Sequence, residues 1–429
     1  MIKREVKTEE NTVSESNVKE VNGTIDTKAV TDTSDVPYPF PPPLTRPVTP
    51  DVAATFAADS KKKVDLSVQT AVAPQIPMAK QATAQAAVTT PVLNSTTATQ
   101  SLILVPDSQY LLSGGFNQYI VNNKKYANRK TGFKNWDAIR SFEPGIYLIM
   151  AETSAGKTTF VLQWCSQIAI NGEYVLFFGM EQSRDFLTSK NLSRDFFETY
   201  LEDAKRNNGQ SSLPIYTSTE IRNGCVDSAV LNKQELSYAQ KIKDKIYTVS
   251  TNFSGTVENI CRYVDAFIEQ KGEIPVVAID YMQLLCALTT SSGYMFDAKT
   301  SMDLGIRMLK QYQVSRGLTL LIVSSLSRQG YAEAIALHHA KESGSLEYTC
   351  DFAVGLQLRE IHNNLDASGK KLSDAQKKAN LAKAKSESPR KVEAVFLKDR
   401  AGVQNSTVYF DYYPAYETFV ATDMNGNPI

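Results

Sequence analysis

The stretch AETSAGKTT, Ala151 to Thr159, joins an apolar run, IYLIM, to TFVLQWCSQIAI, whose apolar residues recur at helical spacing. Strand, glycine-bearing loop and helix in that order leave few folds open. Gly156 lets the backbone curl so that successive N–H groups and the following helix N-terminus face phosphate oxygens. Lys157 is expected to reach the β- and γ-phosphates of ATP, and the Thr158 hydroxyl to hold Mg²⁺. Ser154, Ala155, Gly156, Lys157, Thr158 and Thr159 together form the expected nucleotide cradle. The usual pattern, GxxxxGK[ST], starts with glycine where this loop has Ala151. A first residue at negative φ tolerates a Cβ, so binding is expected to survive the change.

The rest of the folded part alternates. EYVLFFGME, KIYTVS, IPVVAIDYMQLL, LTLLIVSS and CDFAVGLQL read as strands, and TVENICRYVDAFIEQKG and TSMDLGIRMLKQYQVSRG as helices between them. VEAVFLKDR and STVYFDYY form a late strand pair. Such alternation predicts an α/β fold with a mostly parallel sheet covered on both faces. Two acids close apolar runs. Asp280 ends VVAID, where a carboxylate can hold a Mg²⁺-bound water beside the phosphate loop; its plain alternative is a strand end facing solvent. Glu181 ends EYVLFFGME and suits either orienting the attacking water or opening the next helix at the surface.

Composition bounds the remainder. Residues 1–100 pass from a charged Ser/Thr/Asn run through PYPFPPPLTRPVTP to an Ala/Thr/Val/Gln stretch, too poor in periodic apolar surface to repay ordering, and are expected to be a disordered tail. The proline segment reads as a stiff spacer or a partner's extended ligand. Residues 101–130 form a linker, 131–429 the ATPase domain, and 359–390 a mobile Lys/Asn/Ala/Ser-rich insertion without strand pattern. Forty-six basic and forty-six acidic residues cancel, so contact with nucleic acid must be local. Five scattered cysteines without CxxC argue against a disulfide framework and a zinc site, and no apolar leader or span is seen; a cytoplasmic protein is expected. His338 and His339 have no acid or cysteine cluster beyond Glu342, so no metal site is expected there.

Taken together, TGFKNWD, the loop, FFGMEQSRDFL, IDYMQLL, LKQYQVSRGLTLLIVSSLSR, KESGSLEYTCDFAV and FLKDRAG resemble, in order and spacing, the C-terminal RecA-like motor domain of DnaB-type replicative helicases. The resemblance spans roughly residues 110 to 420. It implies a RecA-like core that assembles as a ring, a hexamer in that family, and moves 5′-to-3′ on single-stranded DNA while hydrolysing ATP between subunits. It makes Glu181 the water-activating base, Asp280 the acid beside Mg²⁺, and Lys398 and Arg400 a cationic pair that a neighbouring subunit inserts toward the γ-phosphate. It makes Lys341, Glu342 and Gly344, in KESGS, the DNA-binding loop.

The chain departs from that family in three further ways. Ser325 stands where glutamine is usual, which puts in question the coupling of hydrolysis to movement. Lys341 replaces an arginine and loses its two-pronged fit to phosphate. The tail takes the place of a helical collar that recruits primase, which suggests a phage or other mobile element; a primase or loader remains an expected partner. FNQYIVNNKKYANRK is either a linker helix that docks on the adjacent subunit or a helix covering the sheet. The rival readings are a DNA-binding RecA-like ATPase without unwinding activity, a catalytically silent scaffold, and, with less support, a small-molecule kinase.

Overall fold

A computed structural model describes residues 105–152, 155–250, 255–280, 298–326, 334–340, 344–359, 370–400, 402 and 406–429. The expected disordered tail, Ser154, Lys341 and Glu342 lie outside the described residues.

Six strands run parallel. They are β1 (Gly145–Ala151), β2 (Val175–Gly179), β3 (Ile246–Val249), β4 (Val276–Asp280), β5 (Thr319–Ser325) and β6 (Phe352–Leu358). An antiparallel meander of β7 (Arg390–Asp399), β8 (Thr407–Tyr413) and β9 (Thr418–Thr422) extends the sheet beyond β6. The resulting order is β3-β2-β4-β5-β1-β6-β7-β8-β9, with β1 at the centre. Central strands lie between two apolar layers, and β1 shows why its sequence is apolar throughout. Tyr147, Ile149 and Ala151 enter one layer, while Ile146, Leu148 and Met150 enter the other.

The first layer is covered by α3 (Lys134–Asp137) and α4 (Lys157–Ile170), with Trp136, Phe160 and Trp164 at its heart. Their rings pack at tilted and edge-on angles, Trp136 against Trp164 at 4.7 Å between centroids. The second layer is covered by α8 (Val257–Lys271) and α9 (Ala298–Arg316). In α8 the buried residues Val257, Ile260, Val264 and Phe267 recur every three or four positions, and the Thr256 hydroxyl accepts the N–H of Asn259 at its start. A long helix, α5 (Arg184–Arg206), starts at Ser183, whose side chain accepts from Phe186 N–H. It packs against α6 (Ser218–Arg222) and α7 (Ser228–Ile242), which fill the polar region before β3.

Three features go beyond the sequence reading. Residues 359–390, expected as a mobile insertion without strand pattern, include α11 (Asp374–Ser386), opened by a capping box at Ser373 and seated on β6 and β7 through Leu381 and Ala384. Strand β9 was not foreseen, because TFVAT is short and follows a turn at Pro414. Before the core stand α1 (Asp107–Leu112) and α2 (Gly115–Lys124). Neither buries a residue, and Leu112, Phe116, Tyr119 and Val121 are exposed, so α2 does not cover the sheet. Among the described residues no helix is long and apolar enough to cross a membrane.

Candidate nucleotide site

The site forms where β1, β4 and β5 end. Ala151 lies opposite Ser325 in the β1–β5 register, and Gly179 opposite Asp280 in the β2–β4 register, so loop and acid emerge at the same edge. Gly156 caps α4 with φ +86°. A Cβ there would also meet Phe419 and Tyr412 at 2.9 Å, so both backbone conformation and space require glycine. Ala151, by contrast, is the last residue of a regular strand and is fully buried, which answers the question its identity raised.

Gly156, Lys157, Thr158, Thr159, Glu181, Lys190, Asp280, Ser325, Tyr412 and Glu417 share one pocket of about 500 Å³. The Lys157 ammonium donates to the Glu152 carbonyl at 3.1 Å. Burial pulls its pKa down, opposed by the charges of Asp280, Glu181 and Glu152. Burial likewise pushes the Asp280 carboxyl up to about 6, against the hydrogen bond from Thr158. Glu181, just past β2, is exposed. Thr158 and Asp280 offer the hard oxygen donors that Mg²⁺ prefers, so the residues present fit that ion. Among the described residues no group of three or more His, Cys, Asp and Glu could hold a metal by itself.

Two of the expected cradle side chains are engaged by the fold itself. The Thr159 hydroxyl donates to Glu417 at 2.5 Å, and Ala155 is buried in the first apolar layer. Lys190, Tyr412 and Glu417 escaped the sequence reading. Glu417 holds the Lys190 ammonium at 2.7 Å and adopts a left-handed backbone, φ +52°. Lys190 lies nine residues after Glu181 on the next helix, and that spacing was a usable signal; for Glu417, in a turn far along the chain, none existed.

Lys398 and Arg400 lie at the opposite end of the sheet. Strand β7 runs antiparallel to β6, so Asp399 pairs with Phe352, near the start of β1. At about 3.3 Å per residue, the length of β1 alone separates them from the loop by roughly 20 Å. Lys398 donates to the Glu347 carbonyl at 2.5 Å, and Arg400 to the Tyr348 carbonyl and the Asp351 carboxylate, both at 2.8 Å. Those two carbonyls end α10 (Gly344–Thr349), whose first residue is the expected DNA-loop glycine. A larger cleft, about 1170 Å³, lies at this far end between α2 and α9, lined by Tyr119, Lys310 and Arg316 among others. It has no phosphate-binding loop, so its size does not make it the nucleotide site.

Comparison with known proteins decides the family. The model of the DnaB-like helicase C terminal domain matches residues 129–420. The chain belongs to the DnaB-like helicase family. No curated protein matches its sequence. Among solved structures, an ATPase domain is similar at 19% identity, over 74% of this chain and 98% of that one, with a TM-score of 0.55. A DnaB-like replicative helicase, described with its interactions with primase, is similar at 19% identity over 75% of this chain and 68% of that one, with a TM-score of 0.54. At such identity the two likenesses show the RecA-like fold of a DnaB-type motor domain. For this DnaB-like chain they leave the roles of individual residues to its own geometry.

Proposed function

We propose that this DnaB-like chain is an ATP-driven motor that assembles as a ring, a hexamer, and unwinds duplex by translocating 5′-to-3′ on single-stranded DNA. The observation that carries the reading is a division of labour. Lys157, Thr158, Asp280 and Glu181 converge on one pocket, while Lys398 and Arg400 stand at the other end of the same sheet. A pocket so furnished binds triphosphate; it needs cations from a second copy to neutralise charge on the leaving and transferred groups.

In this mechanism the loop N–H groups and Lys157 hold the phosphates, and Thr158 and Asp280 would hold Mg²⁺, which when bound would neutralise phosphate charge. Glu181 orients a water and takes its proton as the water oxygen bonds to the γ-phosphorus and the β–γ bridging bond breaks. Arg400 of the neighbouring copy faces the γ-phosphate. Lys341, Glu342 and Gly344 contact the DNA backbone without reading bases, as suits a chain with no net charge. A cytoplasmic location and a primase or loader as partner fit this role.

Steady-state ATP hydrolysis, with and without single-stranded DNA, tests the reading. DNA-stimulated turnover is expected in the wild type and none in Lys157→Ala; equal turnover in both would remove the pocket from the mechanism. Ser325 favours a second reading, a DNA-binding ATPase that does not unwind. Its short side chain lines the pocket at the end of β5, where the family's glutamine would reach further. Unwinding of a forked duplex would exclude that alternative.

A further inference from the structure

The seating of α11 against β6 and β7 brings its last turn to the phosphate loop. Lys385 Nζ lies 2.6 Å from Glu152 Oε1. Glu152 follows β1 directly and is the second residue of AETSAGKTT, and its side chain is only 10% exposed. Its main chain serves the loop: the carbonyl accepts from Lys157 Nζ at 3.1 Å and from Ala155 N–H at 3.2 Å. Its carboxylate is a different matter. A triphosphate brings several negative charges to this loop, and a buried carboxylate within the same loop repels them where water screens poorly. Glu152 is already near enough for its charge to act on Lys157. Among the described residues, Lys385 is the one cation paired with it.

We propose that Lys385 is a positioning residue for nucleotide binding: its ammonium cancels the Glu152 charge and holds that carboxylate toward α11, away from the phosphate cradle. The inference rests on reading the pocket as a nucleoside triphosphate site. It gives the stretch 359–390 a task in the motor, because the helix in it supplies the countercharge that this loop needs. An anchoring role for the pair, in which it only fastens α11 to the core, is the competing account. The two differ in what happens when both charges are removed together.

The test titrates a fluorescent ATP analogue with Mg²⁺ into the full chain at low ionic strength, for wild type, Lys385→Ala, Lys385→Arg, Glu152→Gln and the Glu152→Gln/Lys385→Ala double variant. Lys385→Ala is expected to raise Kd about tenfold, an order-of-magnitude figure for one unscreened like charge near the phosphates. Added salt should shrink that loss. Lys385→Arg and Glu152→Gln should stay near wild type. The double variant should recover to within about threefold, with kcat at saturating ATP little changed in all of them. A double variant as weak as Lys385→Ala would overturn the inference, because it lacks the ion pair but also the stray charge. Unchanged Kd in a folded Lys385→Ala protein would overturn it as well. Should the wild type bind no nucleotide, the reading of the pocket falls and takes this inference with it; wild-type binding matched by Lys385→Ala sinks the inference alone.

Discussion

The two ends of the sheet are built on opposite plans. At the loop end, β1, β2, β4 and β5 and the segments that follow them deliver acids, hydroxyls and two lysines into a pocket, and the polar groups face a volume that a ligand can enter. At the far end, Lys398 and Arg400 are turned onto carbonyls and a carboxylate of their own chain. One end is an open pocket, and at the other the charged groups are engaged within the chain. A strand that ends in a site must run parallel to its neighbours there, whereas β7 is antiparallel and necessarily carries its last residues away. The contrast therefore comes from topology, and on the proposed reading it would let one chain carry all the parts of a site without completing it.

The largest effect expected from breaking this contrast belongs to Arg400→Ala. If the far end serves a neighbour, hydrolysis should fall by about 10³ or more while ATP affinity stays within a few-fold. Mixing Arg400→Ala with Lys157→Ala subunits should restore part of the rate, because some interfaces then combine an intact loop with an intact arginine. A large loss of ATP affinity, or no recovery on mixing, would abolish the division between the ends.

Gly156→Ala attacks the loop end alone. The left-handed φ and the approach of Phe419 and Tyr412 should together cost about 2–4 kcal/mol in urea unfolding and remove nucleotide binding. A variant with wild-type stability and binding would show that the cradle is looser than its geometry implies.

Asp280 sharpens the contrast through pH. Its native carboxyl keeps the proton up to about pH 6, whereas an ordinary aspartate releases it near 3.8. Between those values the native state binds more protons than the unfolded one, so this residue's contribution to stability declines as pH rises and its penalty is complete above about 6. Asp280→Asn should abolish hydrolysis and raise unfolding stability at pH 8 by up to about 3 kcal/mol. Loss of stability in that variant would mean that the Thr158 hydrogen bond outweighs the cost of burying the charge.

The smallest effect concerns the exposed apolar residues of α2. Phe116→Ser with Tyr119→Ser should leave the fold intact and weaken subunit association about tenfold, read by light scattering across protein concentration. Unchanged assembly would separate α2 from any interface.

Local chemistry was legible in the sequence, and distant pairing was not. Asp280 could be read because an acid closing a wholly apolar run marks a strand end, and Lys157 because the residues on either side fix its loop. Glu417 reaches Thr159 across 258 positions, and no pattern near either announces it. Helix α11 was invisible because Leu381 and Ala384 supply almost all of its apolar face among lysines and small residues. Its contact with Glu152 spans 233 positions, so even a correct helix assignment would not have placed Lys385.

One detail of the far end bears on how copies of this chain would come together. The carbonyls of Glu347 and Tyr348 already receive the donors that a neighbour's phosphates would claim. On the proposed reading, joining two copies would be an exchange: each cation would leave acceptors of its own chain as it gains one on the neighbour's nucleotide, and of the contacts released only Arg400–Asp351 is ionic. Trading neutral carbonyls for phosphate strengthens each bond, so closure of the ring would respond to whichever nucleotide occupies the partner copy. The same exchange would free carbonyls near the C-terminal end of α10 on engagement, and α10 begins at Gly344, the glycine proposed to contact DNA. On the proposed reading, hydrolysis at one interface would then be felt in the next subunit's hold on DNA.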